Sequence, residues 1–76
     1  MQKKPTYEKI FYINLGKMLK EERMKHNLTQ EEISKILCLD RSQYSRYEGG
    51  KSSIPLYDLY CLAKFYQISI ELLLGG

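Results

Sequence analysis

The 76-residue sequence contains one histidine, two cysteines and no long hydrophobic run. A membrane-spanning helix needs about 18 consecutive apolar residues, so we expect no transmembrane segment. The stretch MQKKPTYEKIFYINLGK has no continuous apolar region, so we also expect no secretory signal. Cys38 and Cys61 lack metal-ligand or redox spacing, and we interpret both as small buried hydrophobic residues in a reducing cytoplasm rather than as a disulfide.

The residues that enzymes use are scarce or badly placed. The single histidine, His26, falls at the end of a predicted helix, where it complements the helix dipole. The acidic pairs Glu21-Glu22 and Glu31-Glu32 are adjacent in sequence, so their carboxylates do not face each other on a helix. No glycine-rich phosphate loop and no cluster of metal ligands is present in the sequence. We therefore expect no enzymatic activity, no cofactor and no metal.

The net charge of +3 is modest, but the charges are unevenly distributed. Residues 1–51 hold 11 of the 12 lysines and arginines and 7 of the 9 acids, a net charge of +4. Residues 52–76 carry Lys64 against Asp58 and Glu71, a net charge of −1. The basic part of the chain is compatible with a polyanionic partner. The length predicts a single domain spanning 1–76, with a short N-terminal extension at 1–10.

Apolar residues recur at helical spacing along the chain and predict five helices without strands. The first is expected from near Thr6 to His26, with Asn27 ending it in a left-handed conformation. Its inner stripe is expected to comprise Phe11, Leu15, Met18 and Leu19. The second helix begins with TQEE, in which Thr29 and Glu32 form a capping box, and ends near residue 37 or 38. Its inner face is expected to comprise Ile33, Ile36 and Leu37.

The third helix is expected between an N-cap at Asp40, with Gln43 in the reciprocal position, and a stop at Gly49 and Gly50. The link from the second helix is then only residues 38–40, with Leu39 buried in the turn. A fourth helix follows Pro55, and its expected apolar positions are Leu56, Leu59, Leu62, Ala63 and Tyr66. A short fifth helix is expected from a cap at Ser69 to an end at Gly75.

The third helix separates into two faces at about 100° per residue. One arc of about 140° contains Arg41, Ser42, Ser45 and Arg46. The opposite arc, which we expect to face the core, contains Gln43, Tyr44 and Tyr47. A solvated surface would explain the polar arc, but two arginines among short hydroxyl side chains also fit guanine edges and phosphates. A helix joined to its predecessor by three residues is the helix-turn-helix arrangement.

The stretch LTQEEISKILCLDRSQYSRYEGGK resembles the phage repressor and Cro-type (Xre-like) helix-turn-helix domains, and IPLYDLYCLAKFYQISIELLLG resembles their last two helices. The resemblance covers about residues 15–75. It implies a compact, all-α, five-helix domain of the lambda repressor type. It also implies a sequence-specific transcriptional regulator, in our expectation a repressor, that binds near-palindromic double-stranded operator DNA as a homodimer. The alternative is a protein-interaction module with a protein partner, such as the antitoxin of a toxin–antitoxin pair.

The resemblance also implies roles for individual residues. Gln30 corresponds to a phosphate-contacting glutamine, and Arg23 and Glu48 correspond to an ion pair between the first and third helices. The expected base-reading positions are Arg41, Ser42 and Arg46, with Gln43 and Ser45 as secondary contacts. The loop 49–52 is expected to meet phosphate through backbone N–H groups and through Lys51 and Ser52.

The sequence departs from the family pattern at three positions. Cys38 and Gln67 stand where glycine is common, and Tyr44 stands where an aliphatic residue is usual. The Tyr44 hydroxyl needs a partner in the core or at the surface, where it would reach a phosphate.

Aromatic residues are concentrated in and just after the fourth helix. We expect Tyr60 and Tyr66 to pack inside, with Tyr57 and Phe65 flat on the surface. The alternative is that the fourth and fifth helices, with these aromatic residues, form the contact between two copies of the chain in a dimer, since aromatic residues favour interfaces.

Overall fold

The computed structural model describes residues 5–75 of the chain. Within this range the structure contains five α-helices and no strand, which confirms the predicted all-α fold. The helices are α1 (Pro5–Lys25), α2 (Gln30–Ile36), α3 (Arg41–Glu48), α4 (Leu56–Tyr66) and α5 (Ile70–Leu73). Residues 5–10 of the predicted N-terminal extension belong to α1, and residues 1–4 lie outside the described residues.

The helix boundaries follow from local caps, most of them predicted. The Thr29 hydroxyl accepts from the Glu32 amide at 3.1 Å, and the Glu32 carboxylate accepts from the Thr29 amide at 2.8 Å, which completes the capping box. Asn27 ends α1 with a φ of 56°. Asp40 occupies the N-cap of α3 as predicted, but its side chain makes no capping hydrogen bond, and the reciprocal contact expected with Gln43 is not found among the described residues.

Two non-glycine residues hold the turns that the family often makes with glycine. Cys38, between α2 and α3, has a φ of 59°, and Gln67, after α4, also has a φ of 59°. Left-handed backbone costs an L-residue roughly 1–2 kcal/mol. In the α2–α3 turn this conformation lets the Leu39 amide donate to the Ser34 carbonyl at 2.9 Å. The turn therefore closes on α2 in spite of its unfavourable residue.

The core lies between all five helices, and α2 packs against α3. Its buried hydrophobic residues are Leu15, Leu19, Ile33, Leu37, Tyr44, Tyr47, Ile54, Leu59, Leu62, Ala63, Tyr66 and Leu73. Leu39 is half-buried against this core, as the short turn predicts.

Several predicted core positions are wrong. Phe11, Ile36 and Leu56 are exposed, and on α2 the residue buried beside Ile33 is Ser34 rather than Ile36. The Ser34 hydroxyl donates to the Glu31 carbonyl at 2.8 Å, so its burial leaves no polar group unpaired. Cys38 is exposed and Cys61 is half-buried, and both are free thiols, so Cys38 is not the buried hydrophobe that we predicted.

Two glycines let α1 approach the end of α3 closely. A Cβ at Gly16 would lie 2.6 Å from the Tyr47 carbonyl oxygen and even closer to that of Glu48. A Cβ at Gly50, whose φ is 69°, would lie 2.8 Å from the Cα of Ile13. The backbones of α1, the C-terminus of α3 and the following loop are therefore in direct contact.

Candidate nucleic-acid interface

The outward face of α3 carries the side chains that the helical period assigns to it. Arg41, Ser42 and Arg46 are exposed, while Ser45 and Gln43 are half-buried. On the opposite face Tyr44 and Tyr47 are buried, with their ring centroids 6.1 Å apart in an edge-to-face arrangement. The two tyrosines anchor the helix, and the arginines are free to contact a partner.

The Tyr47 hydroxyl connects α3 to α4. It donates to the Asp58 carboxylate at 2.8 Å, and both side chains are buried. Burial, together with this hydrogen bond, raises the pKa of Tyr47 above its ordinary value, so the hydroxyl keeps its proton at neutral pH. Asp58 lies in the first turn of α4, so this contact fixes the position of α4 relative to the outward face of α3.

The Tyr44 hydroxyl belongs to the interior. The residue is 0% exposed, so its hydroxyl does not reach a DNA phosphate, contrary to one of the alternatives considered for it. The hydroxyl makes no hydrogen bond of good geometry among the described residues, although it lies near enough to the Glu48 carboxylate for the two to perturb each other. Burial first, and the contact with the Glu48 carboxylate second, raise the pKa of Tyr44 far above its ordinary value.

The two tyrosines give a matched prediction. We expect Tyr47→Phe to reduce the free energy of unfolding by about 1–3 kcal/mol, because the buried Asp58 carboxylate loses its donor. We expect Tyr44→Phe to be neutral or stabilising, because it removes a buried hydroxyl without a good partner. Urea denaturation of both variants measures the difference. Equal losses would contradict these roles.

The loop after α3 has fewer available amides than we predicted. The amides of Gly49, Gly50 and Lys51 donate to the carbonyls of Ser45, Tyr47 and Arg46 at 3.0, 3.2 and 3.0 Å. The Ser52 amide donates to no backbone acceptor within residues 5–75, and its hydroxyl oxygen is buried without a partner. The exposed Lys51 side chain and the Ser52 amide are therefore the groups of this loop that can meet an anion.

Arg23 and Glu48 join the end of α1 to the end of α3. Arg23 Nε and Nη2 donate to the two Glu48 oxygens at 2.6 and 3.1 Å, a bidentate pair whose side chains are only 12% and 4% exposed. Arg23 Nη1 also donates to the Leu28 carbonyl at 2.8 Å. Gln30 Nε2 donates to Glu48 at 3.0 Å, so Gln30, at the start of α2, joins the same network.

The electrostatics of this network favour the charged pair. Burial of Glu48 opposes its ionisation, but the contacts with Arg23, with the Tyr44 hydroxyl and with Gln30 more than offset it and hold the pKa of Glu48 below its ordinary value. The same contact with Glu48 raises the pKa of Arg23. The network thereby fixes the end of α1, the turn at Leu28 and the start of α2 to α3. The outward face of α3, with Arg41, Ser42 and Arg46, is called the arginine face below.

The structural residues of this region that we did not predict are Gly16 and Asp58. A glycine inside a helical pattern is a weak signal of close packing, and it is the only sequence feature that pointed to Gly16. Asp58 gives no such signal, because its partner Tyr47 comes from another helix and its burial is a property of the folded chain.

The outer surface of α4 and α5 is apolar. Leu56, Tyr57, Tyr60 and Ile70 line a shallow depression of about 360 Å³. Tyr60 is 50% exposed, so the prediction that it packs inside is wrong, whereas Tyr66 is buried as expected. Within residues 5–75 no helix is long and apolar enough to cross a membrane, and no group of three or more potential metal ligands is found.

The chain belongs to the helix-turn-helix family, since a model of that family matches residues 19–73, and the predicted resemblance is thereby confirmed. The chain is 33% identical over 64 residues to the HTH-type transcriptional activator BcrR of Enterococcus faecalis, an alignment that covers 84% of this chain and 31% of that protein. It is 43% identical over 49 residues to antitoxin PezA of Streptococcus pneumoniae serotype 4, covering 62% of this chain and 31% of that protein. The chain thus spans about a third of the length of these two relatives.

A solved structure is similar over most of the fold. The crystal structure of the restriction-modification controller protein C.AhdI from Aeromonas hydrophila matches with a TM-score of 0.75 and 29% sequence identity. The match covers 82% of this chain and 94% of that chain. Most of the fold is therefore shared with this controller protein, which has nearly the same extent.

Proposed function

We propose that the protein is a sequence-specific DNA-binding transcriptional regulator that inserts α3 into the major groove. One observation supports this most: Arg41, Ser42 and Arg46 are exposed on one face of a helix whose other face is anchored by two buried tyrosines. Arginine forms bidentate contacts with guanine, and the small hydroxyl side chains let the helix approach base edges closely. We expect repression, though BcrR is named an activator, so the direction of regulation stays a prediction.

The affinity and the specificity would come from different residues. Lys51, the Ser52 amide and Gln30 would meet phosphates, which bind all DNA sequences alike and make the affinity fall steeply with salt. Arg41 and Arg46 would contact base edges, with Ser42, Ser45 and Gln43 as neighbours. A regulator of this kind needs no catalytic group, so we expect no enzymatic activity. It binds chromosomal DNA, so we expect a cytoplasmic location.

Variants of Arg46 and Lys51 test this division. Arg46→Ala is expected to cost roughly 1–3 kcal/mol of binding to the preferred duplex and to flatten the preference among sequences. Lys51→Ala is expected to weaken all duplexes alike and to reduce the salt dependence. The measurement is fluorescence anisotropy against a preferred duplex, selected from a random pool, and a scrambled one. Equal and uniform losses in both variants would contradict the assignment.

The exposed apolar surface of α4 and α5 supports a homodimer. Leu56 and Tyr57 are each 72% exposed, and Tyr57 and Tyr60 stack with centroids 6.5 Å apart. A second copy would cover these side chains and place two α3 helices on the halves of a near-palindromic operator. Sedimentation with and without the selected duplex tests this, and a single protomer bound to a non-palindromic site would exclude it.

Antitoxin activity is the second candidate, because of the similarity to PezA. A chain of this kind would act by binding a protein partner, and the α4–α5 surface would then be covered by that partner. Co-purification of a stoichiometric partner, with no shift of any DNA at low salt, would favour this function over the first. Strong binding to one duplex without a partner would favour the regulator.

A further inference from the structure

A cleft lies between the first turns of α1 and the loop that follows α3. It has a volume of about 350 Å³ and is open to solvent, and its lining residues are Glu8, Lys9, Tyr12, Gly50, Lys51, Ser52 and Ser53. Its position is fixed by backbone packing, since a Cβ on Gly50 would meet the Cα of Ile13 at 2.8 Å. Lys9 lies one turn before Ile13 on α1, so it is held beside the loop.

The groups in the cleft suit an anion. Lys9 and Lys51 are both exposed and bring two positive charges, against one carboxylate from Glu8. The Ser52 amide, which has no backbone acceptor within residues 5–75, adds a hydrogen-bond donor. Lysine side chains and backbone amides are the groups from which proteins build contacts to phosphate. Tyr12 adds a phenol to the same wall.

The cleft lies next to the arginine face of α3, because Gly50 and Lys51 come directly after that helix. Three of its seven lining residues come before residue 19, where the match to the family model begins. Among these three, Lys9 and Tyr12 are supplied by the first turns of α1. The cleft therefore combines the first turns of α1 with the loop that follows α3.

We propose that this cleft binds a DNA backbone phosphate on the outer flank of the operator, with Lys9 and Lys51 on either side of the phosphate and the Ser52 amide donating to it. This inference rests on the proposed DNA binding by α3. It assigns Lys9, which lies outside the family match, a direct contact to DNA. The protein would then contact a longer stretch of the duplex than α3 alone can reach.

Duplex length and salt dependence test the cleft. One duplex ends at the last base pair of the selected operator, and the other extends by one helical turn at each end. We expect the wild-type chain to bind the extended duplex about two- to fivefold more tightly, as for a single exposed ion pair. Lys9→Ala is expected to show a smaller preference for the extended duplex than the wild-type chain, because Lys51 and the Ser52 amide remain, and to lower the slope of log K against log salt by about 0.9 per protomer on the extended duplex.

Lys17→Ala is the matched control. Lys17 is also exposed on α1 and does not line the cleft, and it lies eight residues further along, about 80° around the helix axis from Lys9. It is expected to keep the wild-type preference for the longer duplex, and helical circular dichroism checks that both variants fold.

Two outcomes overturn the proposal, and they are distinguishable. If the wild-type chain binds the operator and Arg46→Ala loses sequence preference, but Lys9→Ala matches the wild type on both duplexes, the cleft is not a DNA site. If the wild-type chain selects no duplex at low salt, the proposed DNA binding itself fails, and the inference about the cleft fails with it.

Discussion

Replacing Glu48 by glutamine is expected to reduce the free energy of unfolding by about 3 kcal/mol at pH 7. The substitution keeps the shape of the side chain but leaves the Arg23 guanidinium, only 12% exposed, without its counter-charge. Removing one partner of a buried ion pair typically costs about 3–5 kcal/mol, and we expect the lower end because glutamine retains a hydrogen-bond acceptor. Small domains are stable by only about 5–15 kcal/mol, so urea denaturation resolves this loss readily.

The pH dependence of this effect has a definite sign. The folded pKa of Glu48 lies below the ordinary value of 4.5, so the folded state holds the proton less tightly than the unfolded state. The stabilisation is therefore fully present above about pH 4.5 and is lost as the pH falls through the folded pKa. The difference in stability between wild type and Glu48→Gln should narrow as the pH is lowered from neutral to below about 4.5. A constant difference over that range would contradict the contribution of the Glu48 charge.

A double variant separates the charge pair from the shape of the site. Arg23→Met combined with Glu48→Leu removes both charges, and apolar replacements of similar volume are often nearly neutral. We expect the double variant to be more stable than Glu48→Gln, even though Gln30 loses the Glu48 oxygen as its hydrogen-bond acceptor. If the double variant is the less stable of the two, the cost lies in packing rather than in an unpaired charge.

The parts of the fold that were predictable depend on interactions between residues close in sequence. Thr29 and Glu32 form their capping box within one helical turn, and Asn27 ends α1 by its own tolerance of positive φ. Cys38 and Gln67 were recognised as replacements of glycine through the family resemblance, and both do adopt positive φ. Such features need no knowledge of the tertiary packing.

The wrong predictions concern which part of an apolar stripe the rest of the chain covers. Ile36 and Ser34 lie on the same short helix, but the rest of the chain covers the serine and leaves the isoleucine 43% exposed. Tyr60 has the spacing of a core residue, yet it lies at the edge of the α4 stripe. Helical periodicity assigns residues to a face, and only non-local packing decides how far the covering extends.

The same distinction applies to the candidate interface. The exposure of Arg41, Ser42 and Arg46 follows from the helical period of α3, but the roles of these residues come from the family resemblance and stay predictions. The amides of the loop are different, because Gly49, Gly50 and Lys51 use their N–H groups to close the end of α3. The sequence shows paired glycines but not which amides remain available, since this depends on the residue at which the helix ends.

Gly16→Ala is expected to destabilise the fold by about 1–3 kcal/mol, although alanine is the better helix former by about 1 kcal/mol. The added methyl carbon would lie 2.6 Å from the Tyr47 carbonyl oxygen, and closer to that of Glu48, so α1 and α3 must separate. Their separation would lengthen the Arg23–Glu48 contact and shift the arginine face relative to the loop after α3. We therefore expect weaker DNA binding as well as a lower melting temperature.

Gly49→Ala is the matched control for Gly16→Ala. Gly49 lies at the other side of the same contact region, but its φ is −82°, and the nearest atom to an added Cβ is the Ser45 carbonyl oxygen at 3.5 Å, an ordinary contact distance. We expect its stability to change by less than about 0.5 kcal/mol. If thermal denaturation shows Gly16→Ala to be as stable as Gly49→Ala, the close approach of α1 to α3 is not what positions the arginine face. The position would then depend on the Arg23–Glu48 pair and the Tyr47–Asp58 hydrogen bond alone.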